Sequence, residues 1–145
     1  KIKFASFISA VIALIWGTQL IEWDFKNVEV MNDSESIAWS VKKEKELRMN
    51  EQPYFINFTA AWCITCKVNE AVAFSDDVFN KFNEENITYL KADWTNRNSE
   101  IAEEIEKYNR SGIPLYVYRD KTLDEPMVLN EILTENYLLE VVDEN

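Results

Sequence analysis

A net charge of −11 on 145 residues, from 26 acidic and 15 basic side chains, argues against nucleic-acid binding, because so acidic a surface repels phosphate backbones. Hydrophobic residues make up 47% of the chain, enough for one compact domain and a short additional segment. The chain has no histidine, which excludes Cys-His and Ser-His-Asp catalysis. Any chemistry must therefore rest on two cysteines and on carboxylates.

The N-terminal segment, residues 4–21, is uncharged and just long enough to cross a bilayer as a helix. Two lysines precede it and two carboxylates follow it, so the positive-inside rule places the N-terminus in the cytoplasm and the rest of the chain outside. We predict a transmembrane helix or signal anchor over residues 1–23. A cleaved signal peptide and a buried soluble helix are the alternatives.

The next segment, residues 24–40, is polar and without periodicity, which predicts a connector. A Lys- and Glu-rich run over residues 41–50 predicts a short surface helix. The apolar run 54–58 then predicts the first core strand of a globular domain that extends over residues 41–145.

Cys63 and Cys66 are the only cysteines, and they stand where this strand runs into a predicted helix. At such a junction the first sulfur lies over unpaired backbone N–H groups, which favour the reactive thiolate. The second sulfur lies one turn deeper, close enough to resolve a mixed disulfide. A CxxC motif in this setting is typical of a thioredoxin-like redox site.

Two other interpretations of the cysteine pair remain open. A structural zinc site needs four Cys or His ligands, so only a dimer that contributes two pairs could form one. A plain structural disulfide is also possible, although so short a loop stabilises a fold weakly.

The remaining elements alternate between helices and strands. They are a helix from Lys67 to Phe74, a second helical stretch capped by Ser75, a strand over 86–92, a helix capped by Asn98 and ending near Gly112, a strand over 115–118, a turn over 120–126, a strand over 127–130 and a helix capped by Thr134. This order predicts an α/β fold with a mixed central sheet flanked by helices, preceded by the N-terminal apolar helix.

Pro114 stands at the mouth of a predicted core strand, where it cannot donate to the strand ladder. A cis bond between Ile113 and Pro114, beside the dithiol, would leave the backbone of Ile113 available to an extended substrate. An ordinary trans proline is the commoner case for an arbitrary X-Pro bond. The presence of the CxxC motif favours the cis form here.

Three segments, residues 58–70, 90–97 and 112–116, resemble the C-terminal thioredoxin-like domain of the thiol:disulfide interchange protein DsbD family and its suppressor-of-copper-sensitivity relatives. The resemblance spans roughly residues 38–142. It implies a thioredoxin-like domain that faces the periplasm from the bacterial inner membrane, with residues 4–21 as the last membrane helix of an electron conduit.

The resemblance also implies partners and site residues. Electrons would come from the cysteine pair of a membrane electron-conduit domain and pass to a periplasmic disulfide-containing protein or domain, with cytochrome c maturation as the process served. The dithiol itself is the redox group, so no other cofactor and no metal are expected. By position, Cys63 is the attacking thiol, Cys66 the resolving thiol and Pro114 the cis-proline, with Trp62 and Ile113 at the substrate-binding surface.

One position departs from the family pattern. The family has a buried aspartate six residues before the first cysteine, where this chain has Asn57. An amide cannot take a proton, so the acid–base role would fall to Glu70 alone. A solvated helix residue is the other interpretation of Glu70.

We predict a protein-disulfide reductase. The dipeptide between the cysteines, Ile64-Thr65, lacks the proline-histidine pair of strong oxidants, which favours the reductase over an oxidase or isomerase. A redox-inert binding module with a stable bridge is the alternative of a different class.

Overall fold

The computed structural model describes residues 36–144, in which five strands form one sheet and five helices cover its two faces. The strands are β1 (Ile37–Ala38), β2 (Tyr54–Thr59), β3 (Thr88–Asp93), β4 (Leu115–Arg119) and β5 (Met127–Val128). The helices are α1 (Val41–Met49), α2 (Ile64–Ala73), α3 (Asp76–Glu84), α4 (Ser99–Lys107) and α5 (Glu135–Asp143).

The sheet is mixed, with the strand order β1-β3-β2-β4-β5. β1, β3 and β2 are parallel, β4 is antiparallel to β2, and β5 is antiparallel to β4. The predicted fold class, a mixed central sheet flanked by helices, is therefore confirmed. β1 lies within the predicted connector, residues 24–40, and its pairing with β3 joins the end of that segment to the sheet.

The predicted N-terminal apolar helix lies outside the described residues. Within residues 36–144 no helix has both the length and the apolar character that a bilayer crossing requires.

Alternating side chains of β2 build two separate cores. Tyr54, Ile56 and Phe58 face α1 and α4, while Phe55 faces α2, α3 and α5. The first core also contains Trp39, Leu47, Leu90, Ala92, Ile101, Ile105, Leu115 and Val117. The second contains Ala73, Phe74, Val78, Phe82, Ile87, Tyr89, Tyr116, Tyr118, Leu129, Leu133, Leu138, Val141 and Val142. Because β2 is buried on both faces, the loop that follows it has a rigid base.

The helix starts follow local capping chemistry. Side chains of Ser75, Asn98 and Thr134 accept hydrogen bonds from backbone N–H groups three residues on, as the sequence predicted. The helix that starts after Asn98 ends at Lys107, five residues before the predicted end at Gly112. Asn109 adopts a left-handed conformation (φ 55°), which asparagine tolerates better than most residues and which ends the helix early.

Helix α1 is less of a surface helix than its composition suggests. Leu47 and Glu44 are both buried on its inner side. The Glu44 carboxylate accepts hydrogen bonds from Trp39 Nε1 at 2.9 Å and from the Tyr54 hydroxyl at 3.2 Å. An acidic residue is thus part of the core between α1 and the sheet.

Candidate dithiol active site

Cys63 and Cys66 are joined by a disulfide at the start of α2, with an S–S distance of 2.03 Å. Cys63 is the N-cap residue, and its sulfur accepts a hydrogen bond from the backbone N–H of Cys66 at 3.2 Å. The two residues are 7% and 0% exposed, respectively. The sulfur of Cys63 is therefore the one nearer to solvent, and it lies at the helix terminus that favours negative charge.

The Ile113–Pro114 peptide bond has the predicted cis form. The side chain of Ile113 packs against a small buried cluster of Ala60, Cys63 and Cys66, so the segment before β4 lies directly beside the disulfide. Ile113 precedes the first paired residue of β4. Its backbone is therefore outside the strand ladder, at the position where the sequence analysis expected a substrate to pair.

Glu70 lies one helical turn beyond Cys66 and points towards the end of β2. Its Oε1 accepts hydrogen bonds from Thr59 Oγ1 at 2.9 Å and from Asn57 Nδ2 at 3.4 Å, while its Oε2 pairs with Lys67 Nζ at 3.0 Å. The side chain is 13% exposed. The structure thus brings Glu70 and Asn57, two positions singled out in the sequence, into direct contact. With this low exposure and these partners, Glu70 is not a freely solvated helix residue.

Asn57 is fully buried in the middle of β2, and its amide group donates to the Tyr89 hydroxyl at 2.8 Å as well as to Glu70. Its Oδ1 has no hydrogen-bond partner among the described residues. An amide at this position therefore acts as a donor to the Glu70 carboxylate, which an ionised aspartate could not do.

Asn69 is a residue that the sequence analysis missed. Its buried side chain donates to the Tyr116 hydroxyl at 2.9 Å and to the Glu131 carbonyl at 2.7 Å, and it accepts from the Leu133 N–H at 3.3 Å. Burial raises the pKa of Tyr116 to about 12, so this hydroxyl stays neutral at physiological pH. Asn69 ties α2 to the segment after β5. One feature of the sequence could have indicated this role: Asn69 is a polar residue three positions after Cys66, on the same helix face.

The loop over residues 93–98, called here the rim loop, packs against the residues before Cys63, a contact that the sequence analysis did not predict. Trp62 Nε1 donates to the Thr95 carbonyl at 3.1 Å, and the Ala61 N–H donates to Thr95 Oγ1 at 2.9 Å. Trp62 remains 46% exposed. The hydrogen bond to the rim loop therefore fixes the side chain of Trp62, the predicted substrate-binding tryptophan, while part of the ring stays exposed to solvent.

The described residues 36–144 contain no group of three or more His, Cys, Asp or Glu side chains that could hold a metal ion. The chemistry that this arrangement supports is exchange between the Cys63–Cys66 disulfide and external thiols, next to an apolar surface.

The fold and the dithiol define the class: the chain belongs to the thioredoxin-like family, whose model matches residues 36–121. More narrowly, it is similar to thiol:disulfide interchange proteins DsbD. It is 24% identical to the DsbD of Campylobacter jejuni (strain RM1221) over 99 residues, which cover 68% of this chain and 17% of that protein. It is 30% identical to the DsbD of Haemophilus influenzae (strain PittGG) over 136 residues, which cover 86% and 23%.

The chain spans less than a quarter of the length of these curated relatives. Among solved structures, the reduced C-terminal domain of Neisseria meningitidis DsbD has a TM-score of 0.60 at 19% identity, covering 75% of this chain and 99% of that chain. A thioredoxin from Thermus thermophilus has a TM-score of 0.58 at 13% identity, covering 76% and 86%. The structural likenesses establish the fold. The family resemblance found in the sequence is confirmed.

Proposed function

We propose that this chain is a thiol:disulfide oxidoreductase that reduces protein disulfides as the thioredoxin-like domain of a membrane electron-transfer protein. The observation that carries the proposal is the asymmetry of the cysteine pair. Cys63 lies at the solvent-facing N-terminus of α2, and Cys66 is fully buried behind it. This order of exposure suits an attacking thiol followed by a resolving thiol.

The exchange runs in two steps. The thiolate of Cys63 attacks a sulfur of the partner disulfide, which forms a mixed disulfide and releases one partner thiolate. Cys66 then attacks the sulfur of Cys63, which closes the Cys63–Cys66 disulfide and releases the second thiolate of the partner. Two electrons pass to the partner, and the two protons of the dithiol end on the partner's thiols. The backbone of Ile113 and the exposed side of Trp62 position the partner chain.

Glu70 takes the proton-handling role in this proposal. It lies on the same helix face as Cys66, one turn away, pairs with Lys67 and keeps partial contact with solvent. A carboxylate in this place can accept the proton of the resolving thiol and pass it to water. The hydrogen bonds from Thr59 and Asn57 fix the orientation of the carboxylate.

The same proposal assigns a location and partners. The uncharged segment 4–21 and the charges on either side of it support a membrane tether that leaves the domain on the periplasmic side of the inner membrane. Similarity to DsbD proteins supports a cysteine pair of a membrane domain as the electron donor and a periplasmic disulfide-containing protein as the acceptor. Cytochrome c maturation is a process that such an acceptor could serve.

The decisive measurement is the reduction potential of the Cys63–Cys66 pair, from equilibration with thiol buffers of known potential. We expect a value near that of thioredoxin, about −270 mV, rather than near the −120 mV of strong oxidants. A value near the oxidising limit would make the chain an oxidase. A disulfide that never equilibrates with the buffer would make it a redox-inert binding module.

The order of the two thiols can be tested by limited alkylation of the reduced protein with iodoacetamide, followed by peptide mapping. We expect Cys63 to be labelled first and Cys66 only after unfolding, since only Cys63 lies at the helix N-terminus and keeps some exposure to solvent. Preferential labelling of Cys66 would reverse the assignment.

The tether can be tested with protease added to spheroplasts that express the chain. We expect release of the globular domain and retention of a short apolar fragment in the membrane fraction. A variant without residues 1–23 should be soluble, folded and redox-active. Loss of folding on this deletion would show that the segment belongs to the core instead.

A further inference from the structure

A cation lies over the tryptophan that precedes the dithiol. The guanidinium carbon of Arg97 lies 4.8 Å from the centre of the Trp62 ring and 5.9 Å from that of Trp94, and the two indole rings are 6.0 Å apart. These distances are within the range of cation–π attraction. The guanidinium of Arg97 therefore lies over the side chain of the residue that directly precedes Cys63.

Hydrogen bonds within the rim loop order the backbone that carries Arg97. The Thr95 N–H donates to Asp93 Oδ1 at 2.9 Å, the Arg97 N–H donates to the Trp94 carbonyl at 2.9 Å, and Trp94 Nε1 donates to the Asn98 carbonyl at 3.1 Å. Ala61 N–H and Trp62 Nε1 both donate to Thr95, which fixes the loop to the segment before Cys63. The backbone at Arg97 is therefore ordered before any partner binds, and the two indole rings place the guanidinium.

Helix α2, which begins at the dithiol, differs from the other helices of this acidic chain. Each of the other four described helices exposes at least one carboxylate, whereas no exposed residue between positions 61 and 72 is Asp or Glu. Lys67, the other cation of this region, is paired with Glu70. Arg97 has no ion pair with a carboxylate of the described residues, so its charge is available to a partner.

We propose that Trp62 and Arg97 form a specificity surface for partner segments that carry an Asp or Glu next to the reacting cysteine. This inference rests on the proposed exchange function and names the chemistry of its partner. The planar guanidinium can bind a carboxylate through two N–H groups while its face stays on the indole ring. An acidic partner segment would otherwise be repelled by the net charge of −11, so a local cation decides whether it can approach.

Two other roles of Arg97 predict different behaviour. If Arg97 only supports Trp62 as a packing surface, its loss weakens contact with every partner alike. If it only stabilises the Cys63 thiolate, its loss slows every disulfide alike. Discrimination between partners of different charge is expected only if Arg97 contacts the partner itself.

The test uses three short peptides, identical except for Asp, Asn or Lys beside a single cysteine, each supplied as its disulfide-linked dimer. The reduced full chain converts each dimer into two peptide thiols as its own dithiol becomes the disulfide. The rate constants are compared for the wild type, Arg97→Gln and Arg97→Lys. Arg48→Gln is the matched control, because it removes the same charge from α1, beside the start of β2 and far from the dithiol.

We expect the wild type to reduce the Asp peptide about threefold to fivefold faster than the Lys peptide, as an exposed ion pair allows, and the ratio to fall at high salt. Arg97→Gln should bring the ratio close to one. Arg97→Lys should retain part of it, and Arg48→Gln all of it. The reduction potential should be the same in all four proteins.

The outcomes separate this inference from the function on which it rests. If the wild type reduces none of the peptides, the proposed exchange function fails. If it reduces all three at one rate, or if Arg97→Gln slows all three by one factor, the exchange function stands and the specificity surface is wrong. Circular dichroism of Arg97→Gln establishes that a change in ratio does not come from unfolding.

Discussion

Two carboxylates on opposite sides of the sheet, Glu44 and Glu70, have different environments. Glu44, on α1, is 4% exposed, and its hydrogen bonds with other described residues come from neutral donors, Trp39 Nε1 and the Tyr54 hydroxyl. Glu70, on α2, combines neutral donors with the Lys67 ammonium and partial contact with solvent. Glu44 joins α1 to the sheet through its hydrogen bonds, whereas Glu70, with a cation and partial contact with solvent, suits the proposed proton transfer at the dithiol.

The pKa values of Glu44 and of its neighbour Tyr54 are both raised. Burial raises the pKa of Glu44, the hydrogen bond from Trp39 opposes the rise, and the negative charge of Glu104 adds to it; the hydrogen bond from Tyr54 and the charge of Arg48 lower it less. Burial and the nearby Glu44 carboxylate also raise the pKa of Tyr54, which keeps its hydroxyl protonated as a donor. The hydrogen bonds of Glu44 therefore indicate a structural role.

The largest expected effect comes from Glu44→Leu, which would leave two buried donors, the Trp39 indole N–H and the Tyr54 hydroxyl, without an acceptor. Each such donor costs about 1–3 kcal/mol, so we expect the free energy of unfolding, measured with urea, to fall by roughly 3 kcal/mol. Glu46→Leu on the exposed side of α1 is the control and should change it by less than about 0.5 kcal/mol. A loss below about 1 kcal/mol for Glu44→Leu would mean that water replaces the carboxylate.

Glu70→Gln, in contrast, should affect the rate of disulfide exchange much more than the free energy of unfolding. The amide still accepts from Thr59, so we expect stability to change by less than about 1 kcal/mol, while disulfide exchange slows at least about tenfold through loss of the proton acceptor. The pH dependence of the exchange rate should shift as well. Glu103→Gln, an exposed position on α4, is the control. An unchanged rate and pH profile would reduce Glu70 to a structural role.

A smaller effect is expected in the pH dependence of the free energy of unfolding. Because the pKa of Glu44 is raised in the folded state, the folded chain binds its proton more tightly than the unfolded chain. The stabilisation is fully present below the unfolded pKa, near 4.5, and is lost as the pH rises through the folded pKa. Glu44→Gln should therefore gain stability relative to the wild type between pH 4 and pH 7. A constant difference across this range would contradict the raised pKa.

The smallest expected change is that of Asn57→Asp, which would turn the donor beside Glu70 into a second carboxylate. We expect the pKa of the Cys63 thiol to rise by less than about one unit, seen as slower alkylation at neutral pH. Tyr89→Phe removes a hydrogen bond of Asn57 without adding charge and should leave the alkylation rate unchanged. Equal effects of both variants would point to packing and not to charge.

Features that depend on local chemistry could be predicted from the sequence. The helix starts at Ser75, Asn98 and Thr134 depend on side chains that bond three residues away, and the dithiol is itself a local motif. Contacts between distant parts of the chain could not be predicted in this way. Asn69 meets Glu131, 62 positions away, and Trp62 meets Thr95, 33 positions away. The sequence separation of the two residues does not predict the contact in either case.

Glu44 was missed for a different reason. The helix that carries it is rich in Lys and Glu, so composition indicates a solvated surface. Its place three residues before the buried Leu47 puts it on the inner face, but whether a carboxylate can be accepted there depends on the donors supplied by Trp39 and Tyr54. The helical spacing indicated that Glu44 is buried, but the Lys- and Glu-rich composition of the helix indicated exposure.

The short outer strands bear on how this domain behaves at high concentration. β1 and β5, the edges of the described sheet, are each two residues long, while the longer strands lie inside. A second molecule therefore finds few unpaired backbone groups on which to add a strand, which is how natural sheets limit edge-to-edge aggregation. Pro126, directly before β5, has no N–H to offer to such pairing. Replacing it with a β-branched residue would favour a longer edge, and self-association would be the consequence.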